Sequence, residues 1–336
     1  MSATKQTTGR QLPQLHGVDM MKYIMAFGVV TIHVGTVYGR FPSLIEWFIS
    51  LAVPFFFLTS GYLLSRKLES EDSIAQKRIM LRRRAGQIFR LFGIWLLIYL
   101  PVACTVLYMR GEPPLKAMAQ LACQIILLGE MPYAWPLWFL YSLGIFTFTL
   151  SYAIGAKKGM FALVGAATLS YIAFQAVMAI DMDTLPHSAQ TAARFLPFRA
   201  IGGGCYILAG MLCHRLAGHL TKRLWLWPAL TAASIAMYLA TVPTAELIGG
   251  IGMFLAALRL QFPQSSSTAT SLRYQSMWVY YLHMIFIFAA TFVFGRSTSD
   301  HWIVLAIICT ATAATSFALT RLQEKPRFHF LSNLVK

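Results

Sequence analysis

Charge is what this sequence has least of. Asp, Glu, Lys and Arg make up 12% of its 336 residues, about half the share of roughly 25% that soluble domains carry. Apolar residues make up 57%, and the mean hydropathy is +0.60. That scarcity excludes a soluble globular protein and leaves a polytopic membrane protein. Acidic residues are rarer than basic ones, 12 against 28, for a net charge of +16. The basic residues are dispersed between apolar runs instead of gathered in one polar domain, which argues against nucleic acid as a partner and for a membrane topology signal. Cysteine is sparse too. Cys104, Cys123, Cys205, Cys213 and Cys309 stand singly, mostly in apolar runs, without the spacing of a zinc site or a disulfide framework. There is no Gly-rich nucleotide loop, metal-ligand spacing or nucleophile elbow, so no metal is expected. The stretch Met1 to Leu15 is polar and precedes no small-residue cleavage site, so the first apolar segment is expected to stay as a helix.

What the chain has in quantity is apolar runs of about 20 residues, the length of a membrane span. They predict ten spans, at 17–39, 45–65, 88–109, 137–155, 159–180, 196–214, 224–242, 245–261, 276–295 and 301–320. An even count puts both termini on one side. With the N-terminus inside, 21 Lys and Arg fall in cytoplasmic segments and 6 outside, with Lys22 left within the membrane; this supports N-in and C-in. The segment Pro113 to Gly129 carries Lys116, Gln120 and Gln124 and reads as a short re-entrant or interfacial helix on the outer face. Were it a span, every later loop would invert and the charge bias would collapse. Spans 224–242 and 245–261 form a hairpin through Pro243, and Gln264 to Ser276 reads as a cytoplasmic linker. The fold class is therefore all-α and polytopic, a single transmembrane domain over 1–336 with cytoplasmic tails at 1–16 and 321–336. No internal repeat is visible.

Lys22 and His33 lie eleven residues apart in the first span. Eleven helical residues make three turns plus about 20°, so both side chains share one face about 16 Å apart. Ionisable groups at membrane depth are costly and usually functional. His33 sits about 24 Å into the span, toward the outer half; a neutral imidazole there can take a proton from a hydroxyl, or can simply bond a neighbouring helix. Lys22, near the cytoplasmic boundary, suits snorkelling, with Asp19 on the same face to neutralise it. Between spans two and three, Lys77, Arg78, Arg82, Arg83, Arg84 and Arg90 form the densest charge cluster. This basic loop suits anionic lipid, and Arg82, Arg83 and Arg84 also suit the phosphates of a nucleotide-like ligand such as coenzyme A. Ser60 and Gly61 suit close helix packing, and Pro54 a kink. Trp138 belongs to an aromatic run suited to a membrane interface. Arg199 near the outer start of the sixth span, Glu246 near the outer start of the eighth and His283 in the inner half of the ninth could line a cavity or make interhelical contacts.

Taken together, these motifs resemble the acyltransferase 3 family of integral-membrane acyltransferases over almost the whole chain. A basic residue, ten residues, then histidine is matched by Lys22 and His33, with Asp19 as the accompanying acid. Pro54, Phe55, Phe56, Ser60, Gly61 and Tyr62 match the second-span pattern. Arg82 to Arg84 resemble the basic segment before the third span, Trp138, Phe139 and Leu140 the Trp-Phe-Leu segment, and Tyr281, Leu282 and His283 a late Tyr-Leu-x-His-type segment. The chain departs from the family where Gln87 follows Arg84 in place of a second spaced arginine, and where Gly93 stands for a proline.

The resemblance implies a multi-pass enzyme of the bacterial cytoplasmic membrane that moves an acetyl or similar acyl group from acyl-CoA to a hydroxyl of a carbohydrate or lipid-linked saccharide. It implies His33 as base or acyl carrier, with Lys22 and Asp19 beside it, acyl-CoA on Arg82, Arg83, Arg84 and Ser60, and acceptor near Trp138, Arg199, Glu246 and His283. Membrane lipid is the remaining expected partner. A secondary transporter or lipid-linked glycan flippase, with Lys22, His33 and Glu246 as a proton relay, is the alternative from another class; a structural or sensory membrane protein is a third.

Overall fold

A computed structural model describes residues 14–180, 196–260, 266–295 and 301–335. The described residues are all-α. The chain runs through α1 (His16–Tyr38), α2 (Ser43–Ser50), α3 (Ala52–Glu69), α4 (Ile74–Met109), α5 (Pro114–Cys123), α6 (Trp138–Ala153) and α7 (Gly159–Ala179). It continues through α8 (Phe198–Arg215), the single turn α9 (Ala217–Leu220), α10 (Leu226–Leu239), α11 (Ala245–Arg259), α12 (Ser266–Phe294) and α13 (His301–Gln323). Six of these stretches are long and apolar enough to cross a membrane: α1, α2 with α3, α4, α7, α12 and α13. The runs at 137–155, 224–242 and 245–261 are also helical but shorter, at 16, 14 and 15 residues. The expected N-terminal tail lies, through residue 13, outside the described residues.

Three sequence expectations are corrected. The basic segment before the third span is not a loop. Ser73 caps α4, accepting from the Gln76 amide at 3.1 Å while the Gln76 side chain accepts from the Ser73 amide, and this capping box starts the helix at Ile74. At 36 residues α4 is about 54 Å long, well beyond the ~30 Å hydrocarbon layer, so its basic turns project past the membrane. The stretch expected as a linker, Gln264 to Ser276, is helical from Ser266 onward. The expected C-terminal tail is folded: α13 continues to Gln323, and a 3-10 segment, Pro326–Leu334, returns to α4, where the Trp95 indole donates to the Leu334 carbonyl at 2.8 Å.

The break expected from Pro54 falls one turn before it: α2 and α3 are interrupted at Leu51, next to the Ser50 carbonyl to which Pro54 has no N–H to donate. The segment expected as re-entrant is helical, α5 followed by a π-helical turn, Gln124–Leu128, and stopped by Gly129 in the left-handed conformation (φ +70°).

The centre of the bundle is α8, packed on α3, α6 and α7. Its approach to α3 is set by reciprocal glycines: a Cβ on Gly61 would strike the Ile207 carbonyl, and one on Gly210 the Leu58 carbonyl. Small residues let the two backbones touch. On the other side α1 packs along α12. The two run parallel, since Lys22 and Arg273 share one cavity wall while His33 and His283 meet one level further along.

Candidate active site

A cavity of about 640 Å³ opens among α1, α3, α4, α6 and α12 at the end of the bundle that carries the basic turns of α4. Four cations line it: Lys22, Lys67, Arg84 and Arg273. Ser60 borders it, with its hydroxyl donating to the Phe56 carbonyl of its own helix at 2.8 Å. Val335 closes part of the wall and is 1% exposed. Lys22 pairs with Asp19 at 3.4 Å, as the i, i+3 spacing on one helix face leads one to expect.

Because Arg82, Arg83 and Arg84 lie on a helix, about 100° separates each from the next, and the cavity receives one of the three. Arg84 lines it beside Gln87, with 3.5 Å between guanidinium and amide oxygen. Arg82 lies over the Tyr152 ring at 4.8 Å, and Arg83 is exposed away from the cavity. Lys67 and Arg273, which sequence reasoning passed over, stand where the arginine triplet was expected. Lys67, beside Arg66, and Arg273 each flank an apolar run and are indistinguishable by spacing from topology charges.

At its far end the cavity is walled by Phe56, Phe139 and Tyr280. Phe139 stands between Phe56 and Tyr280, with ring centroids 6.2 and 6.0 Å away. The Tyr280 hydroxyl donates to the Pro136 carbonyl, in the 3-10 turn Trp135–Leu137 that leads into α6. Beyond this aromatic partition lies His283, 6.4 Å from Tyr280, and stacked on it at 5.4 Å and 28° is His33. Trp135 flanks His33 at 6.1 Å.

His283 is therefore not in the inner half of its helix. It lies 17 residues from the start of α12, as His33 lies 17 from the start of α1, and parallel packing sets them at one depth, about 25 Å along. His283 is fully buried, with Nδ1 3.1 Å from the Val279 carbonyl. A carbonyl can only accept, so Nδ1 carries the proton and Nε2 keeps a lone pair. That Nε2 has no hydrogen-bond partner among the described residues. His33 is half-buried.

Arg199, from the first turn of α8, lies over the Trp138 ring at 4.1 Å and 3.7 Å from the Glu130 carboxylate. Glu130 follows the left-handed Gly129 and was missed by sequence reasoning; a lone acid ahead of the Tyr133 to Trp138 run was its only signal. Burial pushes its carboxyl up, against the opposing pull of Arg199. Glu246, in the first turn of α11, is half-buried and within electrostatic reach of Arg199 and Tyr206. Of the expected site residues, then, Lys22, Ser60 and Arg84 share the large cavity with Asp19 at its edge. His33 and His283 form a pair behind the partition. Trp138, Arg199 and Glu246 lie to one side of it, and Arg82 and Arg83 stand apart. Among the described residues no three His, Cys, Asp or Glu side chains gather in a metal-holding group.

A roomy cavity rimmed by cations and ending near paired imidazoles inside a membrane bundle is an arrangement suited to group transfer. The family model described as "Acyltransferase domain" matches residues 15–321. The chain belongs to this family, acyltransferase 3, whose members are integral-membrane acyltransferases. No curated protein and no solved structure matches the chain.

Proposed function

We propose that this acyltransferase moves an acetyl or similar short acyl group from cytoplasmic acyl-CoA to a hydroxyl of a surface glycan or lipid-linked saccharide in the bacterial inner membrane. The proposal takes the chain as ten spans with both ends inside, the Pro113–Gly129 segment lying in the outer face. The observation that carries the reading is the cation-lined cavity. At about 640 Å³ it is within the ~300–1,000 Å³ of ligand pockets, and Lys67, Arg84 and Arg273 supply the charge that the phosphates of coenzyme A need. Those three take over the role first assigned to Arg82, Arg83 and Arg84. The apolar stretch beyond, past Ser60 to Phe139, suits the pantetheine arm.

His33 is the base or the acyl carrier. As base it takes the proton of the acceptor hydroxyl, the oxygen attacks the thioester carbonyl carbon, and the carbon–sulfur bond breaks to release the thiolate of coenzyme A. As carrier its ring nitrogen attacks first, and the acceptor oxygen then displaces it. His283 lies against His33 with a free ring nitrogen and serves either route by holding the imidazole or the acceptor proton. Arg199, within electrostatic reach of His33, is the positive group that offsets charge developing on the carbonyl oxygen, and Lys22, in the large cavity, positions the donor. Trp138, Arg199 and Glu246 form the acceptor side. For the thioester to meet His33 the Tyr280 ring must turn aside, because it has the cavity on one face and His283 on the other.

The test is purified protein in detergent with labelled acetyl-CoA. Binding and transfer to a saccharide acceptor are expected. Absence of both, together with solute uptake by the protein in liposomes, overturns the enzyme reading in favour of a transporter using Lys22, His33 and Glu246.

A further inference from the structure

The turn that leads into Trp135 carries an unusual residue for its backbone. The Ala134 amide donates to the Met131 carbonyl at 2.8 Å, closing a turn over Pro132 and Tyr133, and Tyr133 is held at φ +56°. Proline followed by a positive-φ residue is the type II arrangement, in which the second of the two is usually glycine or asparagine. A tyrosine there is conformationally costly and persists only where its surroundings fix it.

Filling space does not account for the ring. Tyr133 is 3% exposed, yet it borders a second cavity, of about 280 Å³, at the opposite end of α4 and α12 from the large one, with Val106, Arg110, Phe288 and Phe292 also in its lining. The ring instead joins the turn to a helix. It stacks on Trp135 at 5.5 Å and 20°, and it meets Phe288 of α12 nearly edge-on at 4.8 Å and 68°. One residue beyond Trp135, the Pro136 carbonyl accepts from the Tyr280 hydroxyl, also of α12. The segment is thus fastened to the helix of His283 on both sides of Trp135.

Trp135 in turn faces His33 at 6.1 Å and 34°, and its ring neighbours among the described residues are His33 and Tyr133. His33 makes no side-chain hydrogen bond among the described residues, so the rings of His283 and Trp135 orient its imidazole. We infer that Tyr133 is a positioning residue: its ring holds Trp135 against His33 and so fixes the imidazole for its reaction. The inference rests on the proposed acyl transfer at His33 and adds the group that aligns it.

The full chain in neutral detergent is compared with Tyr133→Asn, which suits the turn but removes the ring, and with Tyr133→Phe, which keeps the ring. Trp135→Leu is made alone and together with Tyr133→Asn. Two quantities are read: the rate at which diethyl pyrocarbonate modifies His33, followed by peptide mass spectrometry, and coenzyme A release from acetyl-CoA with a saccharide acceptor present. In Tyr133→Asn, His33 modification is expected to rise severalfold and kcat to fall about 10–100-fold, as when a reacting group is displaced by about 1 Å, with KM for acetyl-CoA unchanged. Tyr133→Phe should match the native chain on both counts, and the double variant should match Trp135→Leu. Native behaviour of Tyr133→Asn, or additive effects in the double variant, overturns the inference. Should Tyr133→Asn fail to fold, Tyr133→Leu keeps the apolar bulk without a flat face, and a lower kcat there without faster His33 modification overturns it as well. Ring-dependent modification of His33 in a chain that transfers no acetyl group supports the positioning role while overturning the proposed acyl transfer.

Discussion

The two cavities are built on the same two helices, α4 and α12, and differ in charge at almost every point. At the basic end Lys22, Lys67, Arg84 and Arg273 line a space of about 640 Å³; at the other end a single Arg110 lines about 280 Å³. Between them sit the histidine pair and the rings that flank it. The contrast teaches that α4 is two helices in chemistry while one in geometry. Its first turns are basic and reach past the membrane, and its last turns are apolar and aromatic-faced. Four cations line the cavity at the first half, and one lines the cavity at the second.

The most direct way to break the comparison is to remove what lies between. His33→Ala is expected to lower transfer by about 10²–10⁴-fold or more while acetyl-CoA still binds in the large cavity; retained transfer removes His33 from the chemistry. Next in size, charge reversal at Lys67, Arg84 and Arg273 should weaken acetyl-CoA binding by about tenfold per residue, whereas Arg82→Glu and Arg83→Glu should leave it nearly unchanged. A donor constant that responds equally to all five would return the whole set to topology. Smaller still is Tyr280→Phe, which keeps the ring and drops its bond to the Pro136 carbonyl. With the partition loosened, hydrolysis of acetyl-CoA without acceptor should rise severalfold relative to transfer; an unchanged ratio means that Tyr280 does not divide the two chambers. Smallest is Trp95→Phe, which removes the donor to Leu334 and should cost about 1 kcal/mol, read as a lower melting temperature and faster proteolysis of the C-terminal segment.

Much of this was legible in the sequence because membrane helices are written in apolar runs. Each of the ten runs coincides with helix in the described residues, and six are long and apolar enough to cross a membrane. What misled was polarity read as irregularity. The Lys77 to Arg90 stretch is polar, but Lys, Arg and Gln are good helix formers, and a Ser73–Gln76 capping box set its start. The Ser/Thr-rich stretch after Gln264 was read as linker from composition, yet it is helical, and Tyr274 and Met277, three residues apart on one face, pack against the core. The site was legible only in part for a different reason. Lys22 and His33 lie on one helix, so their shared face follows from arithmetic. His33 and His283 are 250 residues apart in sequence, and no local pattern reveals that α1 and α12 run parallel at one level. The same holds for Glu130, whose partner Arg199 comes from another helix.

The returning C-terminal segment has a consequence in time. Val335 forms part of the large cavity's wall, and Leu334 is tied to Trp95 in the middle of α4. Ribosomes make Trp95 some 240 positions before residue 335, so the cavity stays open on one side while the helices between are made. Only when the segment Pro326–Leu334 folds back onto Trp95 is that wall closed.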